Sequence, residues 1–209
     1  MIVVLGMHRS GTSALTGVLA MLGAEAGHNL ISGDSTNPKG FWENSEIVDI
    51  HHQLLEEMGS SWDDISPLPE GWWNTDTAGA YANRIREVLE RDFSAARLAI
   101  IKDPRTCRVL PLWLRILSEL GWDPVFVLSL RHPIEVAQSM QKRDHIDPDR
   151  GCLLWLNHTV SAEHRTRGKR RALVLYPDLL ENWRAVVQAV ADELSLPLFP
   201  VSELAEREV

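Results

Sequence analysis

Residues 2–13 read Ile-Val-Val-Leu-Gly-Met-His-Arg-Ser-Gly-Thr-Ser, and the character of the chain changes twice within them. The apolar, β-branched run at residues 2–5 is typical of a buried strand. After Gly11, apolar residues recur at helical spacing, at Leu15, Val18, Leu19 and Leu22. We therefore predict a strand, a short loop that contains two glycines, and a helix that extends from Gly11 to Leu22.

The loop of residues 6–13 has the glycine spacing of a phosphate-binding loop. Gly6 and Gly11 match the pattern G-x-x-x-x-G-K-[ST], in which backbone N–H groups at a helix N-terminus bind a phosphate. The lysine that would reach the β- and γ-phosphates of a nucleoside triphosphate is replaced by Thr12, and the nearest cation is Arg9. The pattern predicts a phosphate site that is poorly suited to Mg-ATP. The alternative is a strand-to-helix turn that merely uses glycine.

The composition indicates one globular domain. A chain of 209 residues with a net charge of −8 is most simply a single domain, 1–209. The acidic balance argues against a nucleic-acid-binding surface. The two cysteines fit no metal motif, the N-terminus has no signal-peptide pattern, and no apolar stretch reaches the ~18 residues of a membrane span. We expect a cytoplasmic protein with no metal site.

Strand-like segments alternate with helical patterns along the chain. After the first strand, apolar segments at 98–101, 124–130 and 172–175 are each followed by polar residues and a helical pattern. This alternation predicts a single-domain α/β fold of the P-loop type, with a central parallel sheet flanked by helices. Ligands of such sheets bind beyond the carboxyl ends of the strands. We therefore expect one site built from the polar segments 6–13, 102–104, 131–133 and 176–178.

The segment 131–139, Arg-His-Pro-Ile-Glu-Val-Ala-Gln-Ser, offers a second anion site. Pro133 keeps Arg131 at the strand end and itself suits the first turn of the following helix. Ser139 lies about two turns into that helix, so both side chains can reach one anionic group. The alternative is a strand-end arginine that pairs with a nearby carboxylate, and an unrelated helical serine.

These motifs carry a resemblance to a known family. The loop Gly-Met-His-Arg-Ser-Gly-Thr-Ser resembles the 5′-phosphosulfate loop of sulfotransferases, which use 3′-phosphoadenosine-5′-phosphosulfate (PAPS), and its form is most like that of bacterial sulfotransferase-like proteins. Arg131-x-Pro with Ser139 resembles the family's 3′-phosphate motif. The segment 175–180, Leu-Tyr-Pro-Asp-Leu-Leu, resembles the Y-E-D-L segment that follows the last core strand.

The resemblance implies a transferase that moves a sulfuryl group from PAPS to an acceptor hydroxyl without a metal. It explains Thr12, because such a family needs no Mg²⁺ and binds a separate 3′-phosphate instead. It does not identify the acceptor, so carbohydrates, lipid-linked sugars, peptides and small natural products all stay open. The residues that it implies for PAPS binding are His8, Arg9, Ser10, Gly11, Thr12, Ser13, Arg131 and Ser139.

The resemblance also implies catalytic residues, among which Arg9 stabilises negative charge on the sulfuryl oxygens and the departing phosphate. Lys102 stands where the family often carries a lysine, and it can neutralise charge on the departing phosphate oxygen. The histidine that sometimes follows this lysine is absent. Glu43, flanked by aromatic residues, and Asp103, at a strand end, are the two candidate bases, with His8 as a third. The alternatives are an ion pair of Lys102 with Glu43 or Asp103, and a Glu43 that serves only the helix dipole.

Two other functions stay open at this point. A P-loop kinase or NTPase would need a lysine in the loop, and Asp103 is its candidate magnesium ligand. A non-catalytic nucleotide-binding relative is the other alternative, because the family's histidine is missing. Outside these motifs, Trp62, Trp72 and Trp73 either line an acceptor pocket or anchor a long loop, and the second interpretation is the more common one for such residues.

Overall fold

A computed structural model describes residues 1–197, so residues 198–209 of the predicted domain lie outside the described part. The described residues form a four-stranded sheet in the order β2-β1-β3-β4, and every adjacent pair of strands is parallel. The strands are β1 (Ile2–Leu5), β2 (Ile100–Lys102), β3 (Val125–Leu130) and β4 (Arg171–Leu175). The predicted α/β fold with a central parallel sheet is therefore confirmed.

Helices follow every strand and cover the sheet. They are α1 (Thr12–Met21), α2 (Ser45–Glu57), α3 (Asp76–Phe93), α4 (Thr106–Glu119), α5 (Pro133–Asp144), α6 (Pro148–Thr166) and α7 (Tyr176–Leu194). Local sequence explains several of their starts. Pro133 and Pro148 each stand in the first turn of a helix, and the Asn44 side chain caps α2 by accepting from the Ile47 N–H.

The sheet is buried on both faces, as its continuous apolar strands require. From β1, Val3 and Leu5 pack with the cluster formed chiefly by α2, α3 and α4. Ile2 and Val4 point to the other face, where they pack with apolar residues of α1 and α7. Because β1 is central and apolar on both sides, it is fixed in position and holds the loop that follows it.

Several element boundaries differ by a few residues from the sequence-based expectation. In place of the predicted strand at 98–101, β2 begins two residues later and ends one residue later, and residue 99 just before it pairs in an isolated bridge with Glu25. The helical pattern that follows β2 begins at Thr106, and the helix has a kink at Val109. None of the described helices is both long enough and apolar enough to cross a membrane.

The strand order places the loop of residues 6–11 at the switch point of the sheet. The chain leaves β1 to one side to form β2 and later returns to the other side to form β3. Crevices that bind ligands in open α/β sheets lie at such points, outside the carboxyl ends of the strands. The four polar segments that follow the strands meet there, as predicted.

Candidate functional site

A cavity of about 210 Å³ lies at the carboxyl edge of the sheet. Each strand contributes to its lining through the residues that end or follow it: His8 and Arg9 after β1, Lys102 and Pro104 around the end of β2, Arg131 after β3, and Tyr176 after β4. Residues of the segment 36–43, the first turn of α1 and Arg143 also line the cavity. The cavity is therefore a product of the parallel topology, which brings four distant segments to one place.

The backbone of the first loop forms a concave set of N–H donors. Arg9 and Gly11 both have left-handed conformations, with φ of 68° and 85°. The first α-helical hydrogen bond of α1 runs from the Leu15 N–H to the Gly11 carbonyl, and no side chain within residues 1–197 caps this helix N-terminus. The N–H groups of residues 12–14 thus have no helical acceptor, which is the arrangement that binds an anion.

Gly6 is required by a close approach of two strands. A Cβ atom at this residue would lie 2.6 Å from the Ser129 carbonyl oxygen, and the φ of 151° disfavours any L side chain. We predict that Gly6→Ala lowers the free energy of unfolding by more than Gly59→Ala, which shares a positive φ but would contact nothing within 4 Å. Backbone strain alone costs roughly 1–3 kcal/mol, and urea denaturation of both variants isolates the additional clash. Equal losses would contradict this role of Gly6.

Arg131 and Ser139 lie directly against the first loop. The Arg9 Nε donates to Ser139 Oγ over 2.9 Å, and the Arg131 Nη1 donates to the Arg9 carbonyl over 3.3 Å. The Arg131 guanidinium stacks on the ring of Tyr176 at 5.1 Å and pairs through Nε with Glu135. Two arginines and a hydroxyl thus converge beside the uncapped helix N-terminus, while the carboxylate partner of Arg131 is solvent-exposed.

Glu43 and Lys102 form a buried ion pair in the cavity wall. Lys102 Nζ lies 2.6 Å from Glu43 Oε1 and also donates to Ser13 Oγ over 3.1 Å. Burial raises the pKa of Glu43 above its usual value, although Lys102 opposes the shift, and burial lowers the pKa of Lys102. A carboxylate whose pKa is raised toward neutrality suits a general base.

Asp103 lies outside the lining of this cavity. Its Oδ2 contacts His51 Nδ1 at 2.7 Å, and its Oδ1 accepts from the side chain of Arg105 over 2.7 Å and from the Arg105 N–H over 2.9 Å. Burial alone would raise the pKa of Asp103, but Arg105 and His51 hold it well below its usual range. With both oxygens engaged and a low pKa, Asp103 is a poor base, so of the two carboxylates only Glu43 faces the cavity.

The remaining predicted residues have different surroundings. His8 lines the cavity and packs on Trp62 with ring centroids 4.7 Å apart, and its Nε2 has no hydrogen-bond partner within residues 1–197. Burial, followed by Arg105, lowers the pKa of His8 well below its usual value, so the ring is neutral. Ser10 is buried and does not line the cavity, but its carbonyl accepts from the Ser129 hydroxyl and fixes the loop against β3.

Sequence reasoning missed several residues of the cavity lining, among them Arg143 and Phe41. It also missed Arg105, which contacts Glu43 Oε2 at 3.5 Å but does not line the cavity. Arg143 lies one turn beyond Ser139 on α5, a spacing of four that places two residues on the same helix face. That spacing was the signal that could have found it. Within the described residues, no group of three or more His, Cys, Asp and Glu side chains could hold a metal ion.

The long loop between α2 and α3 is anchored by its tryptophans. Trp72 is buried in the core, and Trp62 and Trp73 pack against that core. Trp72 and Trp73 therefore anchor the loop to the core, and Trp62 also contacts His8 in the cavity wall.

Two solved structures are similar to this chain along its whole length. The sulfotransferase domain from the Synechococcus PCC 7002 olefin synthase superposes with a TM-score of 0.61 at 20% sequence identity, and the match covers 100% of this chain and 76% of that one. The sulfotransferase domain from the curacin biosynthetic pathway gives a TM-score of 0.52 at 19% identity, with coverage of 100% and 77%. No protein-family model matches the chain, and no curated protein matches it. The protein therefore has a sulfotransferase-like fold.

Proposed function

We propose that the protein is a sulfotransferase, which transfers a sulfuryl group from PAPS to a hydroxyl group of an acceptor. The observation that carries the proposal is the junction of two anion-binding groups at one cavity. The uncapped N-terminus of α1 supplies the first group, and Arg131 with Ser139 supplies the second, in direct contact with Arg9 of the loop. A nucleotide with phosphates at both its 5′ and 3′ positions matches this pair of sites.

The residues present fit such a donor. The N–H groups of the first turn of α1 have no side-chain cap within residues 1–197, and His8 Nε2 is a buried polar atom without a partner there. An apolar groove of about 180 Å³ adjoins the cavity, with Ser13, Ala14, Asn37 and Pro38 lining both. Trp42 and Trp183 line this groove, and their flat rings suit a nucleobase.

The Glu43–Lys102 pair supplies the proposed chemistry. Glu43 accepts the proton of the acceptor hydroxyl while that oxygen forms a bond to sulfur. The bond between sulfur and the bridging phosphate oxygen breaks, and Lys102 together with Arg9 neutralises the charge that develops there. Ser13 orients Lys102 through the 3.1 Å contact. The acceptor carries a hydroxyl group, and carbohydrates are one class that meets this requirement.

Binding of 3′-phosphoadenosine-5′-phosphate, the desulfated donor, tests the proposal. We expect Arg131→Ala to weaken this binding roughly tenfold or more, because a charge-assisted hydrogen bond contributes about 1.5–3 kcal/mol. Affinity for ATP with Mg²⁺, which has no 3′-phosphate, should hardly change. Titration calorimetry with both nucleotides measures the difference, and Arg170→Ala, which removes a surface arginine paired with Asp123, is the matched control.

Three outcomes would redirect the proposal. Equal losses for both nucleotides would remove Arg131 from the 3′-phosphate site. A wild-type protein that prefers ATP with Mg²⁺ would be a kinase or NTPase. A protein that binds the desulfated donor but releases no sulfuryl group from labelled PAPS to any member of an acceptor panel would be a non-catalytic relative.

A further inference from the structure

The cavity contains one more cation than the two phosphate motifs and the Glu43–Lys102 pair account for. Arg143, near the end of α5, lines the cavity, with its side chain 19% exposed. Its Nε donates hydrogen bonds to both carboxylate oxygens of Asp144, at 2.8 and 2.9 Å. Its two Nη groups make no hydrogen bond within residues 1–197. The guanidinium is thus fixed in place by its neighbour and keeps a free donor edge, the geometry that binds a carboxylate or phosphate with two parallel bonds.

Arg143 and Arg131 reach the cavity from opposite ends of α5. Arg131 precedes α5 and stacks on Tyr176, while Arg143 lies ten residues after Pro133, about 15 Å further along the helix axis. Ser139, which accepts from Arg9, lies between them on the helix. Arg131 contacts the Arg9 carbonyl and belongs with Ser139 to the proposed 3′-phosphate site, whereas the only hydrogen bonds of Arg143 within residues 1–197 go to Asp144.

Arg143 shares the cavity wall with the proposed base, Glu43, and with His8, which packs on Trp62. Burial lowers the pKa of His8, and the charges of Arg105 and Arg143 lower it further. An acceptor whose hydroxyl reaches Glu43 occupies the cavity that Arg143 also lines.

We infer that Arg143 binds an acidic group of the acceptor, either a carboxylate or a phosphate, so that the acceptor is an anionic hydroxyl compound. The inference rests on the proposed function, which assigns the other cations to the donor. Arg9, Arg131 and Lys102 are engaged by the two ends of the donor, and Arg143 is the cation left for the second substrate. It favours acidic acceptors over neutral ones that carry the same hydroxyl.

The test uses the protein saturated with 3′-phosphoadenosine-5′-phosphate, so that the donor site is filled. Sodium acetate and sodium phosphate, as carboxylate and phosphate probes, are titrated at constant ionic strength against sodium chloride, and the melting temperature is followed. We expect the wild-type complex to bind one of these anions, and Arg143→Gln to weaken that binding about tenfold or more. Phosphate stabilises proteins generally, so the difference between the two proteins carries the result.

Two further variants control for charge and for folding. Arg167→Gln removes an exposed arginine that pairs with Glu163 outside the cavity, and it should behave as wild type. Arg143→Lys keeps the charge but loses the planar fork, so intermediate binding is expected.

Three results would overturn the inference. The first is that neither anion raises the melting temperature of the wild-type complex. The second is that the anions raise the melting temperature of Arg143→Gln as much as that of the wild type. The third is that Arg143→Gln weakens binding of the desulfated donor itself. A wild-type protein that does not bind the desulfated donor would instead overturn the proposed function, and this inference with it.

Discussion

Glu43→Gln is expected to reduce sulfuryl transfer by about 10²–10⁴-fold, the usual contribution of a general base. The amide has nearly the same shape and can still accept a hydrogen bond from Lys102, but it cannot take a proton from the acceptor hydroxyl. Binding of the desulfated donor should be retained, because Glu43 lies in the cavity wall apart from Arg131 and Ser139. Transfer of label from PAPS to the acceptor, measured beside nucleotide affinity, separates these two effects.

The pH dependence of transfer provides an independent check on Glu43. Burial raises the pKa of this carboxyl above its usual 4.5, against the influence of Lys102 and Arg105 and with that of Asp103. A base acts in its ionised form, so the rate should rise with pH through this raised pKa and level off above it. The Glu43→Gln variant should lack this rise. Asp103→Asn is the matched control, and loss of the rise in that variant would transfer the role to Asp103.

The fold could be predicted from sequence because its signals are local. The β1 strand ends at a glycine and is followed by a helix with a clear apolar stripe, so its boundaries could be predicted to the residue. The start of β2 was predicted two residues too early, since residue 99 forms a bridge with Glu25, about seventy positions away in the chain, and lies outside the named strands. The prediction thus failed where pairing with a distant segment overrides the local pattern.

The site could be predicted only in part, for the same physical reason. The phosphate loop and Arg131 can be recognised in the sequence from the neighbouring glycine and proline residues and their spacing. Arg105 has no such signal, since it bonds to Asp103 two residues away and also contacts Glu43 across the fold. Asp103 had the right position in sequence for a base, yet the side chain turns to His51 on α2 and away from the cavity. Side-chain direction at a strand end depends on partners that the linear pattern does not reveal.

Lys102→Met should be damaging to both stability and activity. The lysine is almost fully buried, and its removal leaves Glu43 in the same low-dielectric wall with Arg105, at 3.5 Å, as the nearest cation that contacts it. Breaking a buried ion pair from one side typically costs about 3–5 kcal/mol. Loss of a positioned donor to the departing oxygen should lower transfer by a further factor of roughly 10²–10³. Urea denaturation and the labelled-PAPS assay measure the two losses.

The double variant Lys102→Met with Glu43→Leu separates the structural part of this loss from the chemical part. Replacing both members of a buried pair by apolar groups of similar size is often neutral for stability, because neither charge is left without a partner. The free energy of unfolding should therefore return close to that of the wild type, while transfer stays undetectable. If the pair served only to hold the cavity wall together, the stable double variant would regain transfer, and Lys102 and Glu43 would have no part in the chemistry. Recovery of folding without recovery of turnover is the result that only a chemical role for this pair explains.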